Sequence, residues 1–373
     1  MEDSLLIRFF IQLLICFSAM SFISTTSAIS SDYGEAFYSF EHFSYAGPMA
    51  VMQLANDWRG DIKQGDDAIS FIENEIGLRK NNFLFGFVSR NYHQFSIGND
   101  LARGFYYYNN DISLDNELRI DASLSARSYS GSGLRLGYEF KLPLLQSVQL
   151  SLTPSLVALR LDEVIWGRFE GELFYSNNKT GGWGGTIDLD YHYTEDHVVR
   201  RPLTGEYLGQ LYGLDFDIDL ASDWLDLNYS GINLFSRIYW DGLPTTTAQV
   251  STETAFLLFG YEYFEDVVLN APALHFVQAS GPFPISPNGR INWLATARIS
   301  PIKSFYYHGL QFEASDELGI STSVKLGFQY DFSTSTSRFS LKHKNIEAVL
   351  ASQRLDVSKS QQLAASFTFH YLF

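Results

Sequence analysis

Residues 366–373 read Ser366-Phe367-Thr368-Phe369-His370-Tyr371-Leu372-Phe373. Aromatic side chains stand at every second position of this stretch: Phe367, Phe369, Tyr371 and Phe373. The positions between the first three of them carry a hydroxyl group or an imidazole. Because successive side chains of an extended chain point to opposite faces, this alternation predicts a β-strand with one aromatic face and one polar face.

The same division repeats along most of the chain. Apolar residues alternate with charged or small ones in 118–127, 134–142, 187–194, 214–220 and 320–332. Turn residues separate many of these stretches, among them Asn81-Asn82 and Ser130-Gly131-Ser132-Gly133. A period of two without a sustained helical period predicts an all-β chain of many short strands. Past Ser230-Gly231 the apolar set changes parity, which predicts a bulge or a break there.

The composition excludes several classes of protein. Hydrophobic residues make up 46% of the chain and aromatic residues 16%, yet the mean hydropathy is −0.07. Helical membrane proteins concentrate apolar residues in spans of about 20, and none occurs outside the N-terminal region. The formal charge of −16 argues against a nucleic-acid binder and suits a surface protein or a cation-attracting pore.

The N-terminal region has the pattern of a secretory signal. Residues 5–17 are nearly all apolar, and small or hydroxylated residues lead to Ala28. We predict a signal peptide at 1–28 and one domain at 29–373, although Glu2 and Asp3 are unusual before such a segment and a membrane anchor is the alternative. The single cysteine, Cys16, lies in this segment, so the mature chain offers no disulfide and no thiolate ligand.

A barrel in a membrane explains the charged alternate positions. A sheet that crosses a bilayer must close on itself, with an apolar outer face and a polar inner face. A soluble sandwich gives the same alternation, with the aromatic face as its core. The signal segment, the aromatic last strand and the aromatic pairs Tyr191/Tyr193 and Phe328/Tyr330 favour the membrane. We predict a single transmembrane antiparallel up-and-down barrel of about 16 strands, within a range of about 14–18.

The last strand also resembles a known targeting signal. A terminal Phe373 preceded by Phe367, Phe369 and Tyr371 is similar to the C-terminal insertion signal of Gram-negative outer-membrane β-barrel proteins. The resemblance implies outer-membrane localisation, contact with lipid and lipopolysaccharide, and recognition of the C-terminal strand by the barrel-assembly machinery. It extends to no narrower family.

Two charged sets are candidates for the lumen. The first is an acidic ladder: Asp188, Asp190, Asp215, Asp217, Asp219 and Asp226. It would favour cations or hold a divalent metal, or it is ordinary lumen polarity. The second is a basic set on earlier strands: Arg119, Arg127, Arg135, Lys141 and Arg168. Together they resemble the transverse charge separation of general porins, and plain salt bridges across the lumen explain them equally well.

Three further motifs have structural alternatives. His192 beside Asp190 is a candidate general base, but no Gly-x-Ser-x-Gly motif accompanies it. The run Gly181-Gly182-Trp183-Gly184-Gly185 precedes a strand rather than a helix, so we predict a turn and not a phosphate cradle. Tyr106-Tyr107-Tyr108 fits loop packing or an interfacial girdle better than sugar stacking.

These observations favour a porin-like outer-membrane channel or transporter for small solutes, with a charged, Asp-rich lumen. We expect no cofactor, no metal and no nucleic-acid partner. The alternatives are an outer-membrane barrel enzyme that hydrolyses lipid or peptide, and a plugged barrel with a structural or surface-interaction role.

Overall fold

The chain is described by a computed structural model. It covers residues 34–55, 62–63, 65–110, 112, 117–145, 147–175, 183–196, 205, 207–251, 257–283, 291–314 and 324–373, all within the unit Gly34–Phe373. The predicted signal peptide at 1–28 lies outside the described residues.

Strand is the dominant secondary structure in the described chain, as the alternation predicts. The eighteen strands of the sheet are, in chain order, β1 (Glu35–Ala46), β2 (Asp67–Lys80), β3 (Phe83–Ile97), β4 (Leu118–Tyr138), β5 (Phe140–Leu145), β6 (Val148–Tyr175), β7 (Trp183–Tyr193), β8 (Gly209–Ser222), β9 (Asp226–Ile232), β10 (Arg237–Ser251), β11 (Leu257–Leu269), β12 (Leu274–Pro282), β13 (Ile291–Ile299), β14 (Ser304–Ala314), β15 (Val324–Asp331), β16 (Thr336–His343), β17 (Ile346–Ser352) and β18 (Gln362–Leu372).

Antiparallel pairing closes this sheet into a barrel. Each strand pairs with the next in the order β1, β2, β3, β4, β6, β8, β9, β12 and then β13 to β18, and β18 pairs with β1. β5 continues the line of β4 beside β6. In the described chain the ring therefore has fourteen strands within a sheet of eighteen, and both numbers fall in the predicted range. The antiparallel barrel is confirmed.

Three of the described strands lie beside the ring, which the alternation alone did not distinguish. The second half of β6 pairs with β7, β7 pairs with β10, and β10 pairs with β11. We call these three strands, together with residues 118–130 of β4 and 164–175 of β6, the extension sheet. Its strands continue the barrel wall beyond the ring.

A β-bulge in β6 marks the boundary between ring and extension sheet. Ser130 of β4 pairs with Glu163, while the next residue, Gly131, pairs with Leu161. Asp162 is therefore an extra, unpaired residue in β6. Odd-numbered residues of β6 face inward before it, and even-numbered residues face the same way after it. The inward face of the ring is thus continuous with one face of the extension sheet.

The ring has an apolar outer face, as a lipid-facing barrel requires. The exposed large side chains on this face include Ile76, Phe85, Leu136, Leu156, Phe328 and Leu350. In β18 the aromatic positions share that face, since Phe367 contacts the ring of Tyr38. His370 faces the lumen, where its Nδ1 pairs with Glu35.

The connections at one end of the barrel are short. Asn81 and Asn82 have φ of +50° and +67°, so the predicted β2–β3 break is a tight hairpin turn.

The break predicted past Gly231 is also confirmed, because β9 ends at Ile232 and β10 begins at Arg237. The predicted turn at 130–133 is wrong: β4 runs through it. A Cβ at Gly133 would lie 2.0 Å from the carbonyl oxygen of Ala158, so glycine there serves close strand packing.

Helices occupy loops at the other end. They are α1 (Val51–Ala55) and α2 (Asn99–Asn109). Leu101 and Ala102 of α2 are buried against Ile120 and Ala122 of β4. A short 3-10 helix spans Val357–Lys359. No helix in the described ranges has the length and hydropathy of a membrane span.

Candidate functional site

Side chains from opposite walls of the ring meet in the lumen. Arg298 of β13 forms an ion pair with Glu41 of β1, although five strands separate the two on the shorter way around the ring. The Arg298 guanidinium also lies 4.3 Å from the ring centroid of Phe43 on β1 and 4.6 Å from that of Phe276 on β12. A desolvated cation–π contact of this kind stabilises by about 2 kcal/mol.

A second pair of opposite strands meets at the same level. The rings of Phe71 on β2 and Phe276 on β12 lie 6.3 Å apart, again with five ring strands between them. Phe43 packs against Phe305 of β14 with ring centroids 4.9 Å apart. We call Glu41, Phe43, Phe71, Phe276 and Arg298 the cross-lumen clamp; its contacts join opposite walls of the ring at this level.

Beside the clamp lies a belt of buried charges, which we call the arginine belt. Its centre is Arg90 of β3, whose side chain is fully buried. Its Nε donates to Glu73 at 2.6 Å, and its Nη2 donates to Asp215 at 2.8 Å. Because an unpaired buried guanidinium would be costly, the two carboxylates hold Arg90 in place.

Arg135 of β4 forms the other half of the belt. It donates to Glu75 at 3.2 Å and to Asp217 at 2.6 Å. Glycine makes room for this arrangement: a Cβ at Gly86 would lie 2.2 Å from an Oε1 of Glu75. The arginine belt thus consists of two guanidinium groups and four carboxylates, Glu73, Glu75, Asp215 and Asp217, with a formal charge of −2.

A kink between β9 and β10 is anchored to this belt. Asn233 has a φ of +57° and is buried. Its Oδ1 accepts from Arg90 at 2.7 Å, its Nδ2 donates to the Tyr129 hydroxyl at 2.7 Å, and its backbone N–H donates to Asp215 at 2.9 Å. The side chain of Asn233 therefore links β3 and β4, and its backbone N–H links them to β8; these three contacts account for the strained backbone.

The six predicted ladder residues lie in two places. Asp215, Asp217, Asp219 and Asp226 lie on the inward faces of β8 and β9, and Asp188 and Asp190 lie on β7 in the extension sheet. Asp215 is fully buried, whereas Asp219 and Asp226 are exposed. The structure therefore brings part of the ladder into the arginine belt and leaves part of it at the surface.

The predicted basic set is divided in the same way. Arg135 lies in the belt, while Arg119, Arg127 and Arg168 lie on the extension sheet. Arg119 pairs with Glu172 at 3.1 Å, and both are exposed. Arg127 lies over the ring of Trp166 at 5.7 Å. Lys141 of β5 is exposed and lies 3.3 Å from Glu139.

The residues of the predicted insertion signal lie along the closing strand. Phe367, Phe369 and Tyr371 are half-buried on the outer face of β18. Phe373 is 54% exposed, and its backbone makes two hydrogen bonds with Gly34, at 2.8 and 2.9 Å.

His192 lies on β7, outside the ring. Its Nδ1 lies 2.8 Å from the Thr245 hydroxyl and 3.5 Å from Glu265. Burial lowers the pKa of His192, and Glu265 and Asp190 oppose this shift. A nucleophile–base–acid relay uses both imidazole nitrogens, but these two contacts share one nitrogen and Thr245 is fully buried. The trio therefore lacks the geometry of a hydrolase relay.

Two motifs serve packing in the described structure. Tyr106, Tyr107 and Tyr108 lie in α2, where the first two rings contact each other. Gly184 and Gly185 open β7, while Gly181 and Gly182 lie outside the described residues. The described residues include no group of three or more His, Cys, Asp or Glu side chains placed to hold a metal ion.

Sequence reasoning missed the central arginines of the clamp and of the belt. Arg298 is the only charged residue in β13, and Arg90 is the only lysine or arginine in β3. A single guanidinium in a strand was the available signal, since such a group, when buried, needs a partner on another strand.

Comparison with known proteins gives weak structural likenesses. No protein-family model and no curated protein matches the chain. It is similar to the toluene transporter TodX of P. putida, with a TM-score of 0.36 and 11% identity over 93% of this chain and 91% of that chain.

Two other solved structures give lower scores. The toluene transporter TbuX of Ralstonia pickettii has a TM-score of 0.30 and 7% identity, over 92% of this chain and 90% of that chain. The outer membrane protease OmpT of Escherichia coli has a TM-score of 0.23 and 6% identity, over 94% and 99%. The barrel architecture of the chain therefore rests on its own strand pairing.

Proposed function

We propose that this chain is an outer-membrane transport barrel for small solutes, and that the cross-lumen clamp closes it in the conformation described above. The observation that carries the proposal is the make-up of the clamp. Glu41, Phe43, Phe71, Phe276 and Arg298 meet through side chains alone. Changes of rotamer can therefore open the lumen without breaking a strand pair.

The surroundings of the clamp support transport. The outer face of the ring is apolar, which suits a bilayer, whereas the inward faces of β8 and β9 carry exposed polar side chains at the end away from the clamp. Asp219, Asp226 and Asn228 line this vestibule. An acidic, hydrated vestibule raises the local concentration of cations, so a cation preference belongs to the proposal.

Conductance in planar bilayers tests the proposal. Removing the guanidinium with Arg298→Ala deletes the ion pair and both cation–π contacts, so we expect the open-state frequency or the unit conductance to rise about tenfold or more. Arg119→Ala is the matched control, because Arg119 is 83% exposed in its side chain and pairs only with exposed Glu172 among the described residues. Its conductance should equal that of the wild type.

The same experiment addresses a second function. The cross-lumen contacts also fit a plugged barrel with a structural or surface-interaction role. If the wild type and Arg298→Ala both fold and neither conducts nor admits solutes into proteoliposomes, transport is refuted and the plugged barrel stands. Heat-dependent migration in electrophoresis would verify that each variant is folded.

A further inference from the structure

The extension sheet contains a groove that the transport proposal does not use. It has a volume of about 560 Å³ and lies on the face continuous with the lumen side of the ring. Strand register aligns its side chains in two rows. One row crosses from Arg168 through Asp190 and Thr247 to Tyr261.

The second row lies two residues further along each strand. It crosses from Glu170 through Asp188 and Gln249 to Phe259. Each row therefore begins with charged side chains on β6 and β7 and ends with an aromatic side chain on β11. The groove has a polar floor and an aromatic rim.

The polar floor has unused hydrogen-bonding capacity. Arg168, Glu170 and Asp190 are exposed and make no side-chain hydrogen bond or ion pair with any described residue. Asp188 accepts one hydrogen bond, from Gln249 at 2.9 Å. Carboxylates accept and guanidinium groups donate several hydrogen bonds each, so the floor can engage a ligand rich in hydroxyl groups.

The aromatic rim has no packing explanation among the described residues. Phe259 is 62% exposed and Tyr261 is 70% exposed. Tyr261 has only a loose, tilted contact with Tyr263, at 6.2 Å between ring centroids. Two large exposed rings beside a charged floor form the kind of amphipathic surface that marks a binding site.

The charges of the groove select the class of ligand. One guanidinium and three carboxylates, Glu170, Asp188 and Asp190, give a formal charge of −2. This repels phosphates and nucleic acid. A neutral pyranose matches the remaining features, because its C–H face packs on the negative face of an aromatic ring and its hydroxyl groups bond to the carboxylates and the guanidinium.

We propose that this groove binds neutral saccharide units, with Tyr261 and Phe259 as stacking platforms and Asp190, Asp188 and Arg168 as hydrogen-bonding partners. The units come either from a soluble oligosaccharide or from the glycan of a membrane lipopolysaccharide; their recognition chemistry is the same. The proposal is independent of whether the lumen conducts.

Binding to the full chain in lipid nanodiscs tests it. Isothermal titration with maltohexaose and with chitohexaose examines the soluble source. Flotation of the protein with phosphatidylethanolamine vesicles, with and without lipopolysaccharide, examines the membrane source. We expect saturable binding from one source, weakened about tenfold by Tyr261→Ala and several-fold by Asp190→Asn.

A matched control lies on the same strand. Phe264 is 60% exposed on the opposite face of β11, so Phe264→Ala should leave binding unchanged. Absence of binding from both sources overturns the proposal, as does binding that Tyr261→Ala and Asp190→Asn leave intact. Spermine is the competing probe. If spermine binds, if Asp190→Asn weakens its binding while Tyr261→Ala does not, and if no glycan binds, the groove is a cation site.

Discussion

The half of β6 in the ring and the half in the extension sheet differ in which of their faces is buried. In the ring half, the inward residues Leu159 and Leu161 are buried and apolar, and the outward Leu156 is 67% exposed. In the extension half, the residues on the continuing inward face, such as Arg168, are charged and exposed, while Phe169 on the other face is buried. The inward face stays the same across the bulge at Asp162; its residues are still buried at Val164 and become exposed from Arg168 onward.

This inversion shows that exposure has different meanings in the two halves. A row of exposed apolar side chains that includes Leu156 suits lipid, whereas exposed charges such as Arg168 suit water. We infer that the barrel wall passes from an apolar surrounding to an aqueous one between Val164 and Arg168 of β6.

The strongest way to break the comparison is to shift the extension half of β6 by one residue. Deleting Ile165, a regularly paired residue, shifts 166–175 against β4, so Phe169 turns to the water face and Arg168 to the buried face. We expect the extension sheet to lose its fold, seen as rapid proteolysis within β6 and β7 and loss of heat-resistant migration. Deleting Asp162 is the control, because it removes only the extra residue and leaves the pairs on both sides of the bulge in place; equal behaviour of the two deletions would contradict this account of the register.

A smaller effect compares one residue type in the two regions. Arg90→Ala leaves Glu73 and Asp215 buried without their partner and should cost about 3–5 kcal/mol in the free energy of unfolding. Arg168→Ala removes an exposed side chain and should change it by less than about 0.5 kcal/mol. Urea unfolding in lipid vesicles, followed by tryptophan fluorescence, measures both. Similar values for the two variants would refute the contrast.

The smallest effect is a pH dependence in the extension sheet. Burial lowers the pKa of His192, so the unfolded chain binds a proton more readily than the folded one. The contribution is fully present above the ordinary histidine pKa and is lost as pH falls toward the lowered one. Between about pH 7.5 and about pH 5.5, the protection factors for hydrogen exchange in β7, which correct for the intrinsic pH dependence of amide exchange, should fall modestly, and His192→Gln should reduce that fall. A wild-type protection profile identical to that of the variant would exclude His192 as its source.

Much of the fold follows from the sequence because alternation is a local property. It predicts β18, the hairpin at Asn81-Asn82 and the barrel class, since each depends on residues close in the chain. It does not separate β7 from β8: Asp188 and Asp215 both alternate with apolar neighbours, yet one lies in water and the other in an ion pair. Alternation predicts that a strand has one apolar and one polar face, but not whether each face lies against lipid, water or the protein interior.

The site is harder to predict because it consists of contacts between distant strands. Arg298 meets Glu41 across 257 residues of sequence, and Arg90 meets Asn233 across 143. No local pattern specifies such a pairing; it depends on ring order and on the shift of each strand against the next. The lone arginines in β3 and β13 signal that a partner exists without identifying it.

The seam between β1 and β18 has a consequence for the order of folding. Glu35 pairs with Leu372, so closure joins residues from the two ends of the described chain. Contacts of such high sequence separation form late, after the loop-closure entropy has been overcome. Until then both seam strands carry unpaired backbone groups, which lipid does not tolerate. We therefore expect seam closure and full entry into the bilayer to be one concerted, rate-limiting step.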